Sequence, residues 1–386
     1  MEESKKKKIR FGYIDLLETI AIICIVFYHG AIGNANILSG KMTGYVNYFI
    51  QTLVAVAVPL FFVVNGFLLF GRGFNLKKHI RKTIRVAAIA IIWGVITIIF
   101  LMFIRGEYLS AKEFLLTFWQ TRPNWTSHLW FLGELVCIYL LFPVLYYIHR
   151  DQRKIFIYFV VIGIAMIFGN TFLNEMGMLA TVVIRHPKNI SGINFFNMFN
   201  PFTGNNPCDI IYFCIGGLIY TYKNILEKVH IMKCKVLMVL GFLLNNICLF
   251  IIGILYSKIT NTFWDTVWEG RSTIFVLLNA IYVFLFFMDF NKNNRLQKQS
   301  EITLKDRFCK CIEVISKNTM GIYLVHVLVL RTIEKFSIQA SFTSNITVGI
   351  IYSIGTLERG YHLYLKNNVL SPQFVNKYSL RSTDQP

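Results

Sequence analysis

Long apolar runs alternate with short basic segments along most of this chain. The longer runs reach about 20 residues, the length that an α-helix needs to cross the hydrocarbon core of a bilayer. The sequence therefore predicts an all-α fold, a polytopic transmembrane helix bundle of about ten spans. The predicted spans are residues 12–30, 48–70, 87–103, 128–143, 155–172, 210–222, 236–256, 273–290, 319–330 and 346–354. Glu358, Arg359 and His362 interrupt the apolar run just after the last of these.

Charge sets the expected orientation. The chain has 386 residues and a net charge of +19, and its lysines and arginines cluster in short segments between spans. This is the positive-inside pattern, so it indicates a membrane protein and not a nucleic-acid-binding one. We expect a multi-pass protein of the cell (plasma or inner) membrane with a cytosolic N-terminus. The predicted regions are a cytosolic basic arm (1–11), a transmembrane domain (12–365) and a polar C-terminal tail (366–386), with an external loop at 173–207.

The first span carries three ionisable side chains, Asp15, Glu18 and His29. Such residues are costly inside a membrane and by default indicate function. Helical geometry of about 100° per residue places all three in one sector, roughly 60° wide. The eleven residues from Glu18 to His29 rise roughly 16 Å, so the acids and the histidine lie at opposite ends of one face. Glu18 is expected to pair with a cation on a neighbouring span, either Arg81 or Arg85.

Two further patterns concern helix geometry and cysteine chemistry. Pro59 and Gly66 within the second span indicate a broken or closely packed helix. The eight cysteines are scattered, and Cys309-Lys-Cys311 lacks a second ligand pair. We therefore expect free thiols and no metal site.

Polar positions on four spans, taken together, resemble the membrane acyltransferase family 3, whose members acylate sugars and other extracytoplasmic acceptors. The resemblance covers roughly residues 10 to 335. The chain departs from the family pattern at position 18, where it has Glu18 and the family commonly has arginine. The similar segments are Asp15-Leu-Leu-Glu18-Thr-Ile-Ala21 followed by His29, Pro59-Leu-Phe-Phe-Val-Val-Asn65-Gly66, His128-Leu-Trp130-Phe-Leu followed by Tyr139 and Pro143, and Gly321-Ile-Tyr323-Leu-Val-His326.

This resemblance implies an integral membrane O-acyltransferase, with acetyl as the expected acyl group. Acyl-CoA would be the cytosolic co-substrate, and no bound cofactor is expected. The acceptor would be a hydroxyl of an envelope glycan or lipid-linked sugar, and the other partners would be membrane lipids. Two alternatives stay open: a transporter or flippase for a polysaccharide precursor, and a non-catalytic membrane sensor or scaffold.

Site roles combine residue chemistry with the resemblance. His29 is the predicted catalytic base, because histidine titrates near neutral pH. Glu134, on the fourth span, is the predicted partner that orients it. Arg81 and Arg85 are expected to bind the donor phosphates. The remaining predicted substrate-binding residues are Asp15, Trp130, Tyr323 and His326.

Overall fold

A computed structural model describes residues 11–32, 37–118, 125–183, 207–228, 231–290 and 304–336. Within these ranges the chain is helical and contains no strand, which confirms the all-α prediction. The helices are α1 (Gly12–Phe27), α2 (Met42–Val54), α3 (Ala57–Phe70), α4 (Leu76–Arg105), α5 (Ala111–Phe118), α6 (Trp130–Asp151), α7 (Arg153–Gly163), α8 (Asn170–Val183), α9 (Cys208–Lys228), α10 (Ile231–Thr260), α11 (Ile274–Phe287) and α12 (Leu304–Phe336).

Seven helical segments in the described ranges are long and apolar enough to cross a membrane. The predicted spans at 210–222 and 273–290 correspond to α9 and to the shorter apolar α11, neither of which is among the seven. The predicted span at 346–354 lies outside the described residues. The segments are Gly12–Gly30, Met42–Phe70, Leu76–Arg105, Ser127–Asp151, Arg153–Ala180, Cys234–Thr260 and Arg307–Ile333.

The centre of the bundle is the contact between α3 and α9, the most extensive one between described helices. Two glycines bring their backbones together. A Cβ atom on Gly66 would lie 1.8 Å from the carbonyl oxygen of Phe213, and one on Gly216 would lie 2.0 Å from that of Val63. Small residues permit this close approach between membrane helices, where packing drives association. The close packing predicted around Gly66 is therefore confirmed.

Helix α1 lies against α3 on one side and α12 on the other. The Thr19 hydroxyl donates to the Ile312 carbonyl at 3.3 Å, and further along both helices His29 contacts His326. Residue numbers thus increase in the same direction on the two helices. The helices run parallel, as a first and a ninth span would.

Three local expectations need correction or refinement. The segment around Arg81 and Arg85 was predicted to be a loop, but it forms the beginning of α4, whose 30 residues follow the cap Asn75. A helix of that length is about 45 Å long, so its basic end extends past a hydrocarbon core of about 30 Å.

The external loop predicted from residue 173 instead continues as helix to Val183. The second span is broken as predicted, between α2 and α3, with Pro59 in the first turn of α3.

Candidate active site

Three histidines from three different elements meet near the C-terminal end of α1. The ring centroids of His29 and His326 are 5.2 Å apart, and those of His128 and His326 are 5.8 Å apart. His326 and His128 are buried, whereas His29 is exposed. We call these three residues the histidine cluster. It contains one accessible imidazole supported by two enclosed ones.

Tyr323 connects two members of the histidine cluster. Its hydroxyl donates to the backbone carbonyl of His128, in the short turn Ser127–Leu129 that precedes α6. Its own carbonyl accepts a hydrogen bond from Nδ1 of His326. The spacing Tyr323 to His326 on one helix therefore places both residues at the same site, as the sequence predicted.

His29 belongs to a π-helical turn, Tyr28–Ile32, which continues α1. Such turns are rare and often occur at functional sites. The neighbouring Tyr28 donates to the carboxylate of Asp265, which also accepts from Gln51 at 3.4 Å and from two backbone amides of its own turn. Burial raises the pKa of Asp265 above its ordinary value, an effect that the hydrogen bond from Tyr28 opposes. The connection between α10 and α11 is thereby fixed beside His29.

Next to this connection, an arginine lies between two indole rings. The guanidinium carbon of Arg271 is 4.2 Å from the ring centroid of Trp130 and 4.7 Å from that of Trp268. Its Nη1 lies 3.3 Å from Oδ2 of Asp209, and both side chains are buried. The charge of Glu134 acts on Asp209. Trp130, predicted to bind substrate, and Glu134 are therefore near this ion pair.

The acids of α1 lie at the other end of the helix. The Ser316 hydroxyl is 2.9 Å from Oδ1 of Asp15 and 2.6 Å from Oε2 of Glu18. Asp15 is buried and Glu18 is half-buried. We call Asp15, Glu18 and Ser316 the carboxylate cluster. As the helical spacing predicted, the acids and the histidine have separate surroundings, but both ends of α1 contact α12.

Cationic and amide groups lie close to the carboxylate cluster. Burial lowers the pKa of Arg72, and the nearby charges of Tyr139 and Glu18 oppose that shift. Nζ of Lys82 donates to the Tyr139 hydroxyl at 3.0 Å, and this hydroxyl donates to Oδ1 of Asn65 at 3.1 Å. The loop after α3 and the helices α3, α4 and α6 thus contribute polar groups to one region.

Arg81 and Arg85 both lie exposed on the first turns of α4. They are four residues apart, so they share one face of that helix. This placement leaves both guanidinium groups accessible to a ligand. The charge of Glu18 acts on Arg72, a cation that the sequence had not singled out. The pairing of Glu18 with Arg81 or Arg85 stays a prediction.

Comparison with known proteins gives the class of this protein. A helical bundle with ionisable groups at both ends of one span is typical of membrane proteins that bind or process polar molecules. The family model described as an acyltransferase domain, acyltransferase family 3, matches residues 11–357. The chain belongs to this family and is a membrane acyltransferase. No curated protein and no solved structure matches it.

The structure brings together some predicted site residues and separates others. His29, Tyr323 and His326 form one site with His128, which had been noted only as part of a motif. The ring neighbours of His29 are Tyr28 and His326. The expected role of Glu134 in orienting His29 stays a prediction. The residues not assigned from sequence are His128, Arg72, Ser316, Arg271, Asp209 and Asp265. An ionisable residue at the start of an apolar span was the available signal for His128.

In the described part of the chain, no group of three or more His, Cys, Asp or Glu side chains is arranged to hold a metal ion. The described cysteines are free thiols. The histidine cluster presents imidazole nitrogens, which can donate and accept hydrogen bonds.

Proposed function

We propose that this acyltransferase moves an acetyl group from cytosolic acetyl-CoA to a hydroxyl of an envelope glycan or lipid-linked sugar. The observation that carries the proposal is the pair of polar sites on α1. An accessible imidazole, His29, occupies one end, and a region of acidic and basic side chains occupies the other. Such an arrangement suits a reaction whose donor and acceptor arrive from different sides of the plasma or inner membrane.

His29 is the proposed general base. Its accessible imidazole accepts the proton of the acceptor hydroxyl as the oxygen attacks the thioester carbonyl. A carbon–oxygen bond forms, the carbon–sulfur bond breaks, and the proton passes from His29 to the departing thiolate. A positioned base contributes about 10²- to 10⁴-fold to the rate of such a step.

The proposed donor site lies on the basic side of the bundle. Exposed Arg81 and Arg85 bind phosphate oxygens of coenzyme A, for which guanidinium groups have suitable geometry. Arg72 and Lys82 add positive charge deeper in the bundle. The thiol-bearing arm of the donor then extends along α1 and brings the thioester to His29.

A cell-based experiment tests the proposal without knowledge of the acceptor. Cells supplied with acetyl-labelled acetyl-CoA precursor should incorporate alkali-labile label into their envelope glycans when they express this protein. His29→Ala at unchanged abundance should abolish that label. His149→Gln, a change at a buried histidine outside the cluster that bonds Thr221, is the matched control.

Two outcomes would reject the proposal. One is label that stays at the level of the parent cells when the unaltered protein is present. The other is full incorporation by His29→Ala. Glycan that crosses the membrane without gaining label would instead support the transporter alternative.

A further inference from the structure

We propose that His326, held by Tyr323, is the residue that orients His29 for proton transfer. This positioning role was expected of Glu134, and His326 itself was expected to bind substrate. The inference rests on the proposed function, because it assigns a partner to the proposed base. It is carried by three features: the hydrogen bond of His326, its contact with His29, and the anchoring of Tyr323.

The hydrogen bond to Tyr323 determines where the proton of His326 resides. Nδ1 of His326 faces a backbone carbonyl, which only accepts hydrogen bonds. Nδ1 therefore carries the proton, and Nε2 of the neutral ring holds a lone pair. His326 is fully buried, so this tautomer is enclosed within the bundle. The result is a fixed acceptor nitrogen inside the histidine cluster.

The ring of His29 contacts this fixed imidazole. The two centroids are 5.2 Å apart and the planes are tilted by 46°. A neutral histidine has one N–H and one bare nitrogen. If His29 directs its N–H to His326, its other nitrogen retains the lone pair and is available to the acceptor hydroxyl. This is the role of the third group in hydrolase triads, where the orienting partner fixes the tautomer of the base.

Tyr323 makes the arrangement rigid. Its hydroxyl bonds the carbonyl of His128, so α12 is tied to the turn that precedes α6. The same residue supplies the carbonyl that fixes His326. Tyr323 thus fixes His326 relative to both α12 and the turn before α6. Its buried position is consistent with this supporting role.

Three substitutions at His326 separate orientation from substrate binding. His326→Leu removes the acceptor nitrogen. His326→Gln places an amide oxygen near the former Nε2 position, while His326→Asn places its polar group near Nδ1. Acetyl-CoA consumption would be measured with purified protein in lipid nanodiscs, with the envelope glycan fraction as acceptor. Matched abundance and melting temperature would be confirmed for each variant.

The orienting role predicts a loss in kcat with little change in KM for either substrate. His326→Leu should lower kcat by about 10- to 100-fold, as is found for groups that orient metal-bound histidines. His326→Gln should restore part of this loss, and His326→Asn should not. In the background of His29→Ala, His326→Leu should cause no further loss, since residues that act as a unit are not additive.

A spectroscopic measurement tests the orientation independently of activity. In ¹⁵N-histidine-labelled protein, His326 should show a protonated Nδ1 and a bare Nε2, and His326→Leu should change the tautomer signals of His29. A raised acceptor KM with unchanged kcat in His326→Leu, or unchanged His29 signals, would overturn the inference. An inactive parent protein would reject the proposed function, while the spectra would still decide the orientation.

Discussion

The two ends of α1 hold their polar side chains in different ways. At the histidine cluster, Tyr323 and His326 bond to backbone carbonyls, which fix both position and tautomer. At the carboxylate cluster, Asp15 and Glu18 share a flexible serine hydroxyl, with the charge of Arg72 nearby. One end is organised by main-chain geometry and the other by charge.

This difference suits two different tasks. A base must be held in a narrow range of positions to take a proton. Buried side chains that are hydrogen-bonded to backbone carbonyls hold it in this way. A donor with several phosphates needs positive charge that can adjust to it, and mobile basic side chains provide that. The comparison therefore predicts that changes at the histidine cluster affect turnover, while changes near the carboxylate cluster affect binding or stability.

The largest effect is expected at His29. His29→Gln keeps a polar side chain of similar size but cannot serve as the base, so kcat should fall by about 10²- to 10⁴-fold. The KM for acetyl-CoA should stay the same, because the proposed site for the donor phosphates lies at the other end of α1. Steady-state kinetics in nanodiscs would measure both. A higher KM at unchanged kcat would contradict the division of tasks.

The next effect is a loss of stability at Glu18. Glu18→Arg introduces a second cation close to Arg72 and removes one of the two carboxylate acceptors of the Ser316 hydroxyl. Breaking a fully buried charge pair typically costs about 3–5 kcal/mol, and the half-buried position of Glu18 lowers that cost. Glu18→Gln should be milder, because it preserves the shape without adding repulsion. Abundance in the membrane and acetyl-CoA consumption check both variants, and a fully abundant, active Glu18→Arg protein would refute the pairing.

A substitution at the contact between α3 and α9 should lower the stability of the whole bundle, without a preference for either end of α1. Gly66→Ala forces apart α3 and α9, since the new methyl group would lie 1.8 Å from a backbone oxygen of α9. Overpacking of this kind costs about 1–3 kcal/mol. Melting temperature should fall, and the protein that remains folded should keep its kinetic constants. Gly321→Ala is the control, because within the described residues its added Cβ would meet no atom of another helix within 4 Å.

The smallest effect is expected at the exposed arginines. Arg81→Ala should raise the KM for acetyl-CoA a few-fold without changing kcat, as loss of uniform binding does. The difference from the parent should shrink at high salt, which screens exposed charges. Arg105→Ala, at the opposite end of the same helix, is the control. A fall in kcat alone would remove Arg81 from the donor site.

The sequence predicts much of this architecture because membrane helices are signalled by long apolar runs. Helical spacing alone placed Asp15 and Glu18 apart from His29, and the motif order brought Tyr323 and His326 to the same site. The extent of α4 was underestimated, because a basic amphipathic start resembles a loop in a hydropathy pattern. The span count at α9 and α11 depends on tertiary placement, which hydropathy does not encode.

The partner of His29 was the least predictable feature. A carboxylate was expected from the general logic of catalytic bases, and Glu134 was the available one on its span. Contacts between helices depend on rotation about each axis, and a single sequence does not specify that rotation. The structure places Glu134 near Asp209 and places His326 against His29. Only the three-dimensional packing of α1 with α12 reveals the ring contact between His29 and His326.

The central claim is that the two ends of α1 open to opposite sides of the membrane. It is tested by single cysteines placed in a variant from which all eight native cysteines have been removed. Ser127→Cys, beside the histidine cluster, and Lys77→Cys, on the basic start of α4, are both at exposed positions. An impermeant thiol reagent should label Ser127→Cys in intact cells and Lys77→Cys only in inside-out vesicles. Labelling of both cysteines from the same side would contradict the account.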